Sequence, residues 1–295
     1  MDFCSPLPAP VTVLFIFLLQ TMKLAFFGGL YSNYLALEAA IVDAQNRGVD
    51  AMYCLGDLGA FGPHPDRVFP LLRQHDIICV QGNYDDSIGN ELNDCQCGYT
   101  DPNDNHFAQI SYDYTLQNTS SDNKAWLRNL PPELRLNVDG LRVLLCHGSP
   151  RRTNEFLWRS TTSTAFLNRL ADERSTDLII GTHSGIHWQR QLQDGRRYVN
   201  VGVLGRPEND GNTNVWYAVL CTGSDADSDA LPCTANGGSV PVSVNFVPVT
   251  YDYRLLVQEM RRENLPDEFI QTVLTGWWTT CLEILPSQER RVGKF

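Results

Sequence analysis

With 295 residues, 43% of them hydrophobic, the chain has ample apolar content for a sizeable core and is expected to form one large domain rather than two small ones. A net charge of -11 speaks against a broad phosphate-backbone surface, because nucleic-acid binders carry a basic face, so no nucleic-acid partner is expected. Nine cysteines fall in no even framework, and Cys54, Cys79, Cys146 and Cys221 lie inside expected strands, which fits reduced, buried thiols in a cytoplasmic protein.

Val11 to Leu19 is an apolar run too short to span a membrane. No basic region precedes it and no A-x-A site follows, so neither an anchor nor a secretory signal is expected. Residues 1–21 are read as an extension upstream of a native start at Met22, which opens MKLAFFGG. Lys23 to Phe27 is then strand one, and after Gly28 and Gly29 a helix covers Tyr34 to Arg47, burying Leu37, Ala40, Ile41 and Ala44 before Gly48 closes it. Two short apolar runs follow, Ala51 to Leu55 and Ile77 to Val80. Each stops at a glycine followed by a ligand-type residue, Asp57 after Gly56 and Asn83 after Gly82. Between them Pro65 to Gln74 carries Val68, Leu71 and Leu72 at helical spacing, so the stretch reads as strand, helix, strand. A right-handed crossover makes the strands parallel and brings Asp57 and Asn83 together at the edge where open α/β sheets place their chemistry.

From Asp86 to Asn105 the chain is polar and reads as loop over that edge. Within it, Cys95 and Cys97 read as packing thiols, with metal binding the alternative. His106 to Leu116 and Ser121 to Leu130 are expected helices, the second capped by Ser121 and stopped by Pro131 and Pro132. Glu133 to Val138 and Leu141 to Cys146 form a hairpin about Asp139-Gly140. Its second strand delivers His147. Thr162 to Ala171 is helical, and the buried strand Leu178 to Ile180 delivers Gly181-Thr182-His183. Arg197 to Val201 and Val215 to Leu220 read as strands, Thr222 to Ser239 as a mobile low-complexity loop, and Val240 to Val249 as an edge strand. Asp252 to Arg262 and Pro266 to Leu274 close the chain as helices. The tail from Gly276, with Trp277, Trp278 and Cys281, is expected to dock on the body.

Four strand ends thus carry Asp57, Asn83, His147 and His183. This mix of oxygen and nitrogen donors suits one Mn, Fe or Zn ion and disfavours Ca or Mg.

The stretches GDLGAFGPHP, QGNYDD, CHGSPR and GTHSG, occurring in that order, resemble the successive signatures of the calcineurin-like metallophosphoesterases, in particular the bacterial phosphodiesterase and diadenosine-tetraphosphatase-like branch. NVGVLGRPENDG and VTYDYRLL also resemble that branch, so the likeness runs from Met22 to about Gly276 and leaves 277–295 as a tail. The resemblance implies an α/β fold, a sandwich of mixed β-sheets flanked by helices. It also implies two metals about a bridging aspartate, and here the pattern departs. The opening D-x-H falls on Gly29-Leu30-Tyr31, and the closing G-H-x-H on Thr182-His183-Ser184-Gly185. The missing ligands all belong to one ion. Those of the other, Asp57, Asn83, His147 and His183, are intact, so a single-metal site is expected, with His187 a possible substitute ligand.

On this reading the protein is a metal-dependent hydrolase of a small anionic phosphoester using metal-activated water. One ion beside Asp57 leaves the site only about one unit positive, which favours a diester over a dianionic monoester. The resemblance places Tyr84 where relatives have a histidine acid. A phenol is a poor acid at neutral pH. Asp85 is expected to orient a ligand histidine, Arg151 and Arg152 to supply forked hydrogen bonds to phosphate, and His64 to reach the cleft. One alternative is a degenerate relative that binds metal or an anionic metabolite without turnover; another is a non-hydrolytic metalloenzyme with Cys95, Cys97 or Cys281 as an added ligand.

Overall fold

The structure is a computed structural model that describes residues 22–223, 226, 231–235 and 238–290; the segment 1–21 lies outside the described residues. Strand β1 (Lys23–Phe27) is apolar on both faces because it separates two cores, Leu24 and Phe26 facing one and Ala25 and Phe27 the other. Parallel to it lies β2 (Ala51–Cys54) and parallel to β2 lies β3 (Ile78–Cys79), with helices α1 (Tyr34–Asn46) and α2 (Val68–Gln74) as the crossovers. On the other flank of β1 run the antiparallel strands β9 (Val215–Thr222), β11 (Gly238–Val249) and β10 (Leu231–Ala235), giving the order β10-β11-β9-β1-β2-β3.

The second sheet has the order β4-β5-β6-β8-β7, from β4 (Glu133–Val138), β5 (Leu141–Cys146), β6 (Leu178–Gly181), β7 (His187–Gln191) and β8 (Arg197–Val201). Its three central strands are parallel and its edges antiparallel. The β4–β5 turn places Asp139 and Gly140 at φ 50° and 85°, the left-handed pair a two-residue hairpin requires. Phe26, Leu55 and Val80 of the first sheet meet Val143, Leu145, Ile180 and Val199 of the second. Each such side chain contributes about 1.5–3 kcal/mol by leaving water. Outside this core, Leu37, Ile41 and Phe69 cover the first sheet, and Leu167 and Leu170 of α6 (Thr164–Arg174) cover the second. The chain is therefore the expected sandwich of mixed sheets flanked by helices.

Several local expectations differ. Asn83–Gly89 is a helix, α3, because the Asp85 carboxylate reaches back to the Gly82 N–H at 2.8 Å and caps its first turn. Helix α4 (Pro102–Asn118) starts earlier than the apolar spacing suggested, since Asp101 accepts the N–H groups of Asn103 and Asp104 and Pro102 occupies the first helical position. Helix α5 (Ser121–Arg128) begins after Ser120 rather than being capped by Ser121. The segment read as a mobile loop contributes β10, whose Cys233 is fully buried with its thiol on the Asp177 carbonyl at 3.6 Å. Consequently β11 is flanked on both sides and is no edge strand. Helices α7 (Tyr253–Arg262) and α8 (Asp267–Thr275) precede the docked tail, which ends in α9 (Ser287–Arg290).

Candidate metal centre

The two sheets present their strand ends to the same place. The loop after β2 carries Asp57 and α3 opens on Asn83, while β5 and β6 lead into His147 and His183. One donor atom each of Asp57, His147 and His183 lies within 4.8 Å of the other two. His147 Nε2 stands 3.2 Å from Asp57 Oδ2 and 3.1 Å from His183 Nδ1. Its other nitrogen, Nδ1, donates to the Leu55 carbonyl at 2.6 Å, which fixes the ring and, in the neutral form, leaves the Nε2 lone pair facing the cluster.

The loops fit because the chain lacks side chains where they cross. A Cβ on Gly56 (φ +88°) would sit 2.3 Å from the Gly82 nitrogen, and one on Gly82 would sit 2.3 Å from Asp57 Oδ1. Asp57 and His183 both adopt left-handed backbone, at φ 55° and 74°, a conformation costly for non-glycine residues and kept only where surroundings enforce it. For Asp57 the enforcement is visible. Its N–H donates to Asp85 Oδ2 at 2.8 Å, its carbonyl accepts from Leu30 and Tyr31, and its Oδ1 accepts the Tyr84 N–H at 3.1 Å.

Asn83, the fourth candidate donor, has its amide oxygen free. Its Nδ2 donates to the Cys95 carbonyl at 2.8 Å and to Cys97 Sγ at 3.4 Å, whereas its Oδ1 is buried with no hydrogen-bond partner. His183 Nε2 is likewise buried and unpartnered. An orphaned amide oxygen, two imidazoles and a carboxylate are the donor types a borderline divalent ion takes. Burial works against the Asp57 charge, yet His147, His183 and the Tyr84 N–H hold the carboxyl below the ordinary range. Burial also opposes charge on His147, but the Asp57 carboxylate outweighs it and holds this imidazole above its usual value. For His183, burial reinforced by repulsion from His147 pushes the ring down to about 3.

The other sequence-derived candidates fall elsewhere. Tyr84 turns its phenol away from the cluster, donating to Ser111 Oγ at 2.9 Å, and only its backbone N–H serves Asp57. Asp85 orients no histidine by a hydrogen bond. It accepts the N–H groups of Asp57, Leu58 and Gly82, clamping two loops, while burial and the Asp57 charge push its carboxyl up to about 6. Arg151 pairs with Glu155 and lies over the Phe166 ring at 4.9 Å, half exposed. Arg152 is exposed. His64 faces Glu263, with its N–H on the Tyr114 hydroxyl. His187 donates its backbone N–H to Glu208 at 2.6 Å and packs its ring on Phe246 and Trp216, outside the Asp57–His147–His183 cluster, so it is no substitute ligand. Cys95 and Cys97 form a disulfide with each other instead of being separate thiols or ligands, and Cys281 is a buried free thiol.

Two features had no forecast. The cluster is covered: Asp57, His147 and His183 are 3%, 1% and 7% exposed, Phe156 stacks on His183 at 4.2 Å, and Tyr99 stacks on Phe156. A surface cavity of about 420 Å³ lies over this cover, lined by Cys95, Cys97, Tyr99 and Asn154. The second is Arg206, within the NVGVLGRPENDG stretch, which is buried among the rings of Tyr31, Phe61 and Trp278. The conspicuous glycines and prolines of that stretch drew attention away from its one cation.

A mixed α/β sandwich whose strand ends bring Asp57, His147 and His183 to one point carries a candidate metal site there. Residues 22–225 match the calcineurin-like phosphoesterase superfamily domain, and the chain belongs to that superfamily. It is 24% identical over 270 residues to an uncharacterised protein of Methanocaldococcus jannaschii, spanning 86% of this chain and 98% of that one. Among solved structures it resembles a metallophosphoesterase from Sphaerobacter thermophilus, with a TM-score of 0.61 at 22% identity over 87% of this chain and 99% of that one. A hypothetical protein from Pyrococcus horikoshii matches with a TM-score of 0.68 at 18% identity, over 88% and 100%. Both likenesses are of fold. Among the described residues no helix is long and apolar enough to cross a membrane.

Proposed function

We propose that the protein is a metal-dependent hydrolase of a small anionic phosphoester, a diester in preference to a monoester, working with one divalent Mn, Fe or Zn ion per chain. The observation that carries this reading is the convergence of donor atoms of Asp57, His147 and His183 within 4.8 Å of one another, and the buried Asn83 Oδ1 left without a hydrogen-bond partner agrees with it. When bound, such an ion polarises a phosphoryl oxygen and acidifies water toward a pKa of about 7. The chain's own part is positional. Asp57 and Asn83 are held by the Asp85 clamp and the Cys95 carbonyl, and His147 by the Leu55 carbonyl, so the donors need little rearrangement to bind. Phe156 and Tyr99 exclude bulk water, which strengthens each electrostatic contact beneath them. Preference for a single negative charge follows from a site carrying one ion and the Asp57 carboxylate.

A second reading, a binder without turnover, draws support from two observations: the cluster is covered, and Tyr84, at the position of the expected acid, points its phenol away. Metal content of protein purified without added metal, paired with hydrolysis of a generic diester and monoester, separates them. About one equivalent of metal with diester cleavage abolished by His147→Ala supports the hydrolase. Bound metal with no turnover of either ester supports the binder, and no bound metal defeats the hydrolase and leaves only a binder of an anionic metabolite.

A further inference from the structure

Arg206 is 7% exposed, its Nε is buried without a hydrogen-bond partner, and among the described residues no carboxylate forms an ion pair with it. Its polar neighbours are the Cys281 thiol and the phenols of Tyr31 and Tyr99. A guanidinium presents five N–H donors and keeps its charge, and burying it without a counter-anion costs several kcal/mol. The aromatic cage returns part of that: the Trp278 ring lies 3.8 Å from the guanidinium carbon, within range of a strong cation–π contact. Rings accept no hydrogen bonds of carboxylate strength, however, and the Cys281 sulfur, which takes one hydrogen bond from the guanidinium, is a weak acceptor, so the buried Nε–H is left for an anionic oxygen.

The position matters as much as the charge. An Arg206 terminal nitrogen lies 3.6 Å from where a Cβ on Gly185 would stand, and Tyr31 Cε1 lies 2.8 Å from where a Cβ on Gly29 would stand. Gly29, Tyr31 and Gly185 are the three positions at which the sequence lacks the second ion's ligands. Tyr31 links this region to the cluster, since its N–H donates to the Asp57 carbonyl at 3.2 Å while its ring lies 5.7 Å from the Arg206 guanidinium carbon. Beside Arg206 a cavity of about 20 Å³, bordered by Tyr31, Phe61, Gly205 and Thr280, has room for one oxygen-sized group.

We propose that Arg206 is a built-in cation that takes the place of a second metal ion and binds a phosphoryl oxygen of the ligand through its guanidinium fork. The inference deepens the phosphoester reading, on which it rests.

Orthophosphate is the probe, titrated calorimetrically into the manganese-loaded full chain, with manganese stoichiometry and the thermal unfolding midpoint recorded alongside. Arg206→Gln is expected to weaken phosphate binding about tenfold to a hundredfold with manganese retained, because a charge-assisted hydrogen bond is lost. Arg206→Lys recovers part of the loss, a point charge without the fork. Unchanged phosphate affinity in folded, manganese-loaded Arg206→Gln overturns the proposal. Should that variant not fold, phosphate titrated into arginine-¹⁵N wild type is expected to move one slowly exchanging Nε–H resonance, and no movement at saturation overturns it equally. Phosphate held through Arg206 without hydrolysis of any ester upholds this inference and defeats the hydrolase reading; hydrolysis indifferent to Arg206 does the reverse.

Discussion

Around Asp57 the chain buries donors suited to hold a cation, whereas around Tyr31 and Gly185 it buries a cation of its own, Arg206, in a cage of rings. The first region is held by hydrogen bonds: the Asp85 clamp, the Leu55 carbonyl on His147 and the Cys95 carbonyl on Asn83. The second is held by packing, Trp278 being pinned through its backbone N–H on Asn209 and its indole N–H on the Pro207 carbonyl. The difference teaches that losing metal ligands need not leave a hole. Interiors are close-packed, so such volume is taken by whatever side chains can reach it: the Tyr31 ring stands nearest Gly29 and the Trp278 ring nearest Gly185, with an Arg206 terminal nitrogen next to Trp278 at 3.6 Å from a Gly185 Cβ. A fixed guanidinium also repels a second divalent ion, which reinforces the single-ion reading.

If the two regions are energetically separate, damaging one should spare the other. The largest effect is expected from Trp278→Ala, which strips the cage and costs about 3–5 kcal/mol in denaturant unfolding while manganese stoichiometry stays near one. Loss of manganese along with stability would show that the cage also holds the ligands. Next comes a glycine pair. Gly82→Ala drives a methyl into Asp57 and is expected to cost about 1–3 kcal/mol and to weaken manganese binding, whereas Gly185→Ala (φ +80°, against Trp278) costs about as much and leaves manganese affinity alone. Equal effects on affinity would erase the distinction. The smallest effect is graded. Asp57 holds the His147 imidazole above its ordinary value, so in the ion-free protein His147 keeps a proton to higher pH, and a metal must displace it. Manganese affinity should therefore rise with pH, by up to about tenfold per unit below that raised value, with one proton released as read by calorimetry in buffers of differing ionisation enthalpy. A flat profile between about pH 5 and 7 would mean that the proton sits elsewhere.

Much of the frame was legible. The alternation of Glu133 to Cys146 about Asp139-Gly140 set the hairpin register, because a two-residue turn with both residues left-handed admits only one pairing. Helix α3 was missed for the opposite reason: NYDDSIG offers only Tyr84 and Ile88 as an apolar pair, too short to read as a stripe, and its first turn is fixed by the Asp85 carboxylate reaching back to Gly82. Strand β10 was hidden by composition, since LPCTA is short and carries a proline. At the site, residue type was readable and side-chain direction was not. Tyr84 and Asp85 both follow Asn83, yet one turns its phenol into α4 and the other clamps backbone, a choice made by partners at Ser111 and Leu58.

By itself the sequence determined where the strands end and which donor types stand there, because glycines before Asp57 and Asn83 and histidines after β5 and β6 are local features of backbone geometry and chemistry. Only the tertiary structure decided which atoms face inward, that Cys95 and Cys97 join over Asn83, and that Tyr31 packs on Gly29 while Trp278 and Arg206 pack beside Gly185. Those outcomes depend on contacts between residues far apart in the chain, where close packing selects among side chains that no local pattern distinguishes.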